Sequence, residues 1–115
     1  MSQITLLINQ KEFKISLEQN TTVEKLLKLL PMTLTMNDLN ANEKYVYLKQ
    51  SLPTNAKSID HIEAGDVMLF GNNCLVIFYK NFTTSYSYTR LGHIENVDDF
   101  VNSLKNGSIE VTIQK

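Results

Sequence analysis

The side chains best suited to binding a ligand lie within residues 65–94, which hold the only arginine and the only cysteine of the chain. Tyr86, Tyr88 and Arg90 alternate with small polar residues, so a strand here would place all three on one face. A guanidinium is a planar fork of five donors that suits a carboxylate, a phosphate or a peptide carbonyl, and tyrosine adds aromatic faces. With Phe82 nearby, these residues predict a groove for a small anionic ligand or an extended peptide.

Each of these residues also has a purely structural interpretation. Arg90 is able to stack on Tyr86 or Tyr88 and to pair with an acid such as Asp66 or Glu95. Alternating tyrosines are common on half-exposed strands for packing reasons alone. The sequence leaves both interpretations open, for the arginine and for the tyrosines.

A complete catalytic or metal-binding set is missing from the sequence. Cys74 begins an apolar stretch, and neither His61 nor His93 is near it in sequence, which predicts a buried thiol rather than a nucleophile. The histidines and the cysteine do not have the spacing of metal ligands, and no glycine-rich loop that would bind phosphate is present. We therefore expect no metal and no cofactor.

The composition is that of one ordinary globular domain spanning residues 1–115. Hydrophobic residues make up 43% of the chain and charged residues 20%, and the net charge of -1 gives no field that would attract nucleic acid. No apolar run approaches the roughly 18 residues that a membrane span needs. With one cysteine and no basic leader, we expect a cytoplasmic protein that is a monomer by default and binds neither nucleic acid nor membrane.

Polar and apolar residues alternate along most of the chain, which predicts short β-strands. The continuous apolar run 75–79 predicts a central strand that is covered on both faces. The polar stretch 49–64 interrupts the pattern and predicts a long loop. The eight predicted strands are 3–9, 12–18, 32–40, 43–48, 67–70, 74–80, 85–91 and 108–114.

Two further segments have the period of an amphipathic helix. Thr21 and Glu24 have the spacing of a capping box, and a proline ends the helix predicted over 22–30. Asn96 is predicted to cap a second helix over 97–105.

Short strands in this number avoid exposed edges by closing into a barrel, and two one-faced helices suffice to cover its ends. The predicted fold is mainly β, a closed eight-stranded antiparallel barrel capped by two short α-helices.

The C-terminal pattern TRLGHIENVDDFVNSLKNGSIEVTI resembles the end of cyclophilins, where a strand runs to a glycine and a helix and a last strand follow. Gly92, Ile94, Val101, Leu104 and the strand 109–113 occupy the corresponding places. The segments EKYVYLKQSLPTN, AGDVMLFGNNCLVIFYK and YSYTRLG look like those of small bacterial cyclophilin-like proteins, a family largely without an assigned activity. The resemblance covers nearly the whole chain and implies a cyclophilin-like barrel.

This resemblance also bears on activity. Cyclophilins accelerate proline isomerisation by holding the prolyl ring in an apolar pocket while an arginine polarises the amide. Their Phe-His-Arg signature is missing here, Arg90 stands where the family has an apolar residue, and Tyr88 stands where cyclophilins place a groove histidine. Asn73 takes the place of a polar groove residue, although an asparagine in a tight turn is the simpler interpretation. The sequence favours a binding module, with a divergent peptidyl-prolyl isomerase as the alternative.

Overall fold

We obtained the structure as a computed structural model, which describes residues 2–104 and 107–115. The described residues form eleven strands and two helices. The helices are α1 (Thr21–Lys28) and α2 (Val97–Ser103), and the strands are β1 (Gln3–Ile8), β2 (Lys11–Leu17), β3 (Met32–Leu39), β4 (Glu43–Tyr47), β5 (Lys57–Ser58), β6 (His61–Ile62), β7 (Asp66–Phe70), β8 (Cys74–Phe78), β9 (Phe82–Thr83), β10 (Ser87–Ile94) and β11 (Ile109–Gln114).

Eight of the strands form a closed antiparallel barrel, which confirms the predicted architecture. Their order around the barrel is β2, β1, β11, β3, β4, β8, β7 and β10, and β10 pairs in turn with β2. At this closure Gly92 lies opposite Leu17, and Ile94 lies opposite Ile15. Each of the eight strands therefore has a neighbour on both sides, as a barrel requires.

Three strands of two residues each, β5, β6 and β9, lie outside the barrel. β5 pairs with β10, while β6 and β9 pair with each other in a separate small sheet. The sequence predicted a loop over 49–64 and no strand over 81–84, because two residues are too few to show a period of two. The small sheet covers part of the barrel's outer surface, since Ile62 and Phe82 pack against Met68 and Phe78 there.

A large apolar core fills the barrel. The strands contribute alternate residues to it, among them Leu6 of β1 and Leu75 of β8. Both helices add side chains to the same core, Leu26 from α1 and Phe100 from α2. The Phe100 ring packs edge-on against Phe13 at 5.8 Å between ring centres. The predicted apolar faces of the two helices are thus buried against the barrel.

The first helix begins one residue earlier than a capping box at Thr21 would allow, so that prediction was wrong. Asn20 is the N-cap, with an extended backbone and a side-chain oxygen that accepts from the Val23 N–H at 2.8 Å. Asparagine is a better N-cap than threonine, and Asn20 directly precedes Thr21. The Asn20 amide also donates to the Arg90 carbonyl at 2.9 Å, which ties the start of α1 to β10.

The second helix is capped differently from the prediction. Asn96 does occupy the N-cap position, but its backbone is left-handed, with φ 54°, and its side chain makes no capping hydrogen bond. The helix ends at Ser103, and the predicted end at Lys105 lies outside the described residues. In residues 2–104 and 107–115, neither helix has the length and apolar character needed to cross a membrane.

Strand β8 is buried along its whole length, as its apolar run predicts. Leu75 and Ile77 point into the barrel core, whereas Val76 and Phe78 point outward into a second apolar cluster. Outer and inner faces of this part of the barrel are therefore both apolar. Cys74 and Val76 of the outward cluster also border an open groove on the surface.

Candidate functional site

An open groove with a volume of ≈ 400 Å³ lies on the outer face of the barrel. It is lined by β4, β8, β7 and β10, by the end of β3, by β9 and by the turns beside them. We call this surface the outer groove. Cys74 and Val76 of the central strand β8 lie beneath it. Six aromatic side chains line the groove: Tyr45, Tyr47, Phe70, Phe82, Tyr86 and Tyr88.

Strand alternation explains why the tyrosines of β4 reach this groove. Lys44 is buried and Val46 packs against the barrel core, so both point inward. Their neighbours Tyr45 and Tyr47 therefore point outward, because successive residues of a strand face opposite sides. The pairing of β4 with β8 then sets Tyr45 opposite Val76.

Neighbouring rings in the groove contact one another. Phe70 lies 5.7 Å from Tyr86 and 5.5 Å from Tyr88 between ring centres. Tyr45 and Tyr47 lie 6.0 Å apart, edge to face. These separations are the ones that aromatic pairs favour, so each ring restricts the motion of the next. The groove is lined by positioned rings rather than by loose side chains.

The large apolar and aromatic side chains that are exposed among the described residues cluster at this groove. Among the described residues, four large apolar or aromatic side chains are exposed, and each of them lines it. They are Leu39 at 43% exposure, Tyr47 at 65%, Phe70 at 43% and Tyr86 at 61%. Scattered exposed apolar residues need no explanation, but a contiguous patch marks a site of interaction.

Glu43, at the start of β4, is the only charged residue among those that line the groove in the described part of the chain. Burial of the side chain raises the pKa of the Glu43 carboxyl above its usual value, and the negative charge of Asp38 raises it further. No lysine, arginine or histidine of the described residues lines the groove. The electrostatic character of the outer groove is therefore negative.

Cys74 is a buried thiol, as the sequence predicted, and not an activated nucleophile. Its side chain is buried beneath the groove. Burial raises the pKa of the Cys74 thiol to about 11, and the charge of Glu43 adds to the effect. Since the thiolate is the reactive form, this environment suppresses reactivity.

We expect alkylation of Cys74 by iodoacetamide at pH 8 to be about 100-fold slower in the folded protein than in the unfolded chain. The reason is that a pKa of about 11 in place of 9.0 lowers the thiolate fraction by about two orders of magnitude. The rate should rise about tenfold per pH unit as the pH approaches 11. Mass spectrometry of timed samples, with and without denaturant, measures both rates. Equal rates would show an accessible thiol of ordinary pKa.

Three of the five predicted ligand-binding residues, Phe82, Tyr86 and Tyr88, line the outer groove together. Asn73 does not. Its side-chain amide donates to the Leu48 carbonyl at 3.2 Å, and its own carbonyl accepts from the Leu48 N–H at 2.7 Å. Asn73 therefore lies in the turn before β8 and holds Leu48, but its φ is not positive, so it is not the left-handed turn residue that the simpler interpretation assumed.

Arg90 lies in a different cavity from the aromatic rings. This cavity has a volume of ≈ 310 Å³ and is mostly polar, with Lys57 and Glu18 among its lining residues. Tyr88 borders both this cavity and the outer groove. The predicted single face of Tyr86, Tyr88 and Arg90 is therefore divided between two neighbouring cavities.

The acids considered as structural partners for Arg90 are engaged elsewhere. Asp66 lies 2.8 Å from Nδ1 of His93. Glu95 accepts a hydrogen bond from the Ser16 hydroxyl at 2.7 Å. In the described residues no salt bridge is formed by Arg90, whose side chain is exposed at the surface.

Sequence reasoning missed the contribution of β4 and β7 to the site. Glu43, Tyr45 and Tyr47 alternate in the segment EKYVY, which places them on one face of a strand. That signal was present, but it was used only to predict a strand. What it could not reveal was that this face adjoins Phe70 and Tyr88, because the proximity depends on pairing between strands distant in sequence.

Comparison with known proteins agrees with the fold. The profile of the cyclophilin-like family matches residues 6–114. The chain belongs to the cyclophilin-like family. The resemblance predicted from the sequence is thereby confirmed for nearly the whole cyclophilin-like domain.

A solved structure is also similar to this cyclophilin-like domain. It is the solution structure of a hypothetical protein from Archaeoglobus fulgidus, with a TM-score of 0.70. The two sequences are 18% identical, and the match covers 97% of this chain and 92% of the archaeal chain. At that identity the likeness shows a shared fold alone. Comparison with curated protein sequences gave no match.

Proposed function

We propose that this cyclophilin-like domain is a binding module whose outer groove holds a short extended peptide. The observation that carries the proposal is the convergence of all four exposed large apolar side chains of the described residues on one groove. Exposing these side chains to water costs free energy, and a ligand that covers them recovers it. Aromatic side chains are also the residues that most often anchor protein interfaces.

The dimensions of the groove suit a peptide of about four residues. It extends from β4 across β8 and β7 to β10, which is three spacings between neighbouring strands. At about 4.8 Å for each spacing, the width is about 14 Å. An extended chain advances about 3.3–3.6 Å per residue, so about four residues cover that distance.

The lining residues favour a peptide over the small anionic ligand that the sequence also predicted. A carboxylate, Glu43, and no basic side chain of the described residues line the outer groove. We do not extend the proposal to proline isomerisation. Arg90, the only arginine, borders the neighbouring cavity and does not line the groove.

An array of blocked tetrapeptides of varied sequence, probed with labelled protein, tests the proposal. Peptides that bind are then titrated by calorimetry into the wild type and into Tyr86→Ala. We expect Tyr86→Ala to weaken binding about 5- to 30-fold, because it removes one exposed ring worth about 1–2 kcal/mol of contact. Tyr86 is 61% exposed, so the same change should leave the melting temperature nearly unaltered.

Tyr86→Phe is the matched control because it keeps the ring and removes only the hydroxyl. It should bind the same peptides within about twofold of the wild type. If no tetrapeptide on the array binds, or if Tyr86→Ala binds as well as the wild type, the outer groove is not a peptide site.

A further inference from the structure

We infer that the peptide in the outer groove carries a basic side chain that lies against the Glu43 carboxylate and the tyrosine rings beside it. This inference rests on the proposed function and adds the charge of the ligand. It differs from one of the two ligands predicted from the sequence, a small anion, which depended on Arg90 lying in the groove; the other was an extended peptide.

Glu43 belongs to the outward face of β4 that also presents Tyr45 and Tyr47 to the groove. Across the sheet it is paired with Phe78 of β8. Its negative charge acts on two other groups of the groove: it contributes to the raised pKa of the Cys74 thiol and to the raised pKa of the Tyr88 hydroxyl. The carboxylate therefore lies close enough to Cys74 and Tyr88 to act on a ligand bound over them.

The Glu43 carboxylate has no hydrogen bond or salt bridge within residues 2–104 and 107–115. The adjacent lysine, Lys44, points the other way, and its Nζ lies 3.1 Å from Asp38 and donates to the Gly107 carbonyl at 2.6 Å. A half-buried carboxylate without a partner raises the free energy of the empty protein. A ligand with a positive charge would supply the missing partner.

The surrounding rings favour the same ligand charge. Tyrosine faces attract ammonium and guanidinium groups through the negative potential above the ring. Tyr45 and Tyr47, on the same strand face as Glu43, line the groove together with it. A long basic side chain also places apolar methylene groups against aromatic surface while its charged end meets the carboxylate. Rings and carboxylate together therefore recognise both parts of such a side chain.

The test uses two blocked tetrapeptides that share the sequence of the best binder on the array and differ at one position, lysine in one and norleucine in the other. The two side chains have stems of similar length, so the pair isolates the charge. We expect the wild type to bind the lysine peptide at least fivefold more tightly, and Glu43→Gln to bind both peptides equally. The control Glu12→Gln changes an exposed glutamate of β2, which does not line the groove, and should keep the preference.

The melting temperature of Glu43→Gln gives a second readout. Because the folded protein raises the pKa of Glu43, stability falls as the pH rises through that pKa, and the charged form is the less favourable one at neutral pH. Glutamine removes this charge, so Glu43→Gln should melt at a higher temperature than the wild type at pH 7. A glutamate retained for stability would give a lower melting temperature instead.

The outcomes separate this inference from the proposed function. If the wild type binds the lysine and norleucine peptides equally, or prefers norleucine, the basic side chain is ruled out while the peptide groove stands. If Glu43→Gln keeps the lysine preference, the charge is recognised elsewhere and the assignment to Glu43 is wrong. If no tetrapeptide binds, the proposed function itself fails.

Discussion

Replacing Gly92 by alanine is expected to destabilise the protein by about 3 kcal/mol, because the new methyl group has no space at the barrel closure. A Cβ at this position would lie 2.4 Å from the Ser16 carbonyl oxygen and 3.0 Å from Cγ2 of Ile15. Both contacts belong to β2, the strand that β10 must join to close the barrel. Relief requires β2 to move away from β10. Urea denaturation followed by circular dichroism measures the loss.

Gly71→Ala is the matched control for Gly92→Ala. Gly71 has a left-handed backbone, with φ 62°, but no atom lies within 4 Å of an added Cβ. Its replacement should cost only about 1 kcal/mol, the usual strain of a residue with a side chain in that conformation. Equal losses for the two variants would mean that strand closure at Gly92 tolerates a methyl group.

Replacing Lys44 by methionine is expected to cost about 2–3 kcal/mol. Lys44 is 1% exposed, its Nζ lies 3.1 Å from Asp38, and it donates to the Gly107 carbonyl at 2.6 Å. Methionine keeps most of the side-chain volume but leaves Asp38 without its cation. Removal of one member of a buried ion pair costs about 3–5 kcal/mol, and the partial exposure of Asp38, 25%, lowers that figure. Thermal and urea denaturation give the difference in the free energy of unfolding.

Lys14→Met controls for the loss of a lysine as such. Lys14 is exposed and donates to the Thr5 hydroxyl at 2.8 Å, so its replacement should change stability by less than about 0.5 kcal/mol. Adding Asp38→Asn to Lys44→Met should restore part of the lost stability, because it removes the uncompensated charge. A Lys44→Met protein as stable as the wild type would contradict a stabilising role for this pair.

The barrel could be predicted from the sequence because its evidence is local. Alternation along eight segments and an apolar run over 75–79 each indicate a strand without reference to the rest of the chain. Errors arose where local evidence was too short or ambiguous. β5, β6 and β9 have only two residues each, and α1 is preceded by Asn20 and Thr21, two adjacent residues that are both able to cap a helix.

The candidate site could be predicted only in part because it depends on which strands are neighbours. Tyr86 and Tyr88 were found because they are close in sequence. Glu43 and Tyr45 were missed because they lie on β4, far from the tyrosines in sequence. The pairing of β4 with β8, about thirty residues later in the chain, brings them to the same groove. Arg90 follows Tyr88 at the alternate position of β10, but two residues along a strand advance about 6.8 Å, so Arg90 borders the next cavity and does not line the outer groove.

The apolar character of β8 on both faces has a consequence for how the chain selects its native strand alignment. A slip by one residue would exchange Leu75 and Ile77 for Val76 and Phe78 with little loss of buried apolar area, so hydrophobicity alone does not reject it. The turn before β8 supplies the discrimination. The Asn73 carbonyl accepts a hydrogen bond from the Leu48 N–H at 2.7 Å, and the Asn72 carbonyl accepts one from the Leu52 N–H at 2.8 Å. A slip of one residue would break these polar contacts, so they favour the alignment in which Leu75 and Ile77 face the interior and Val76 faces the surface that a ligand meets.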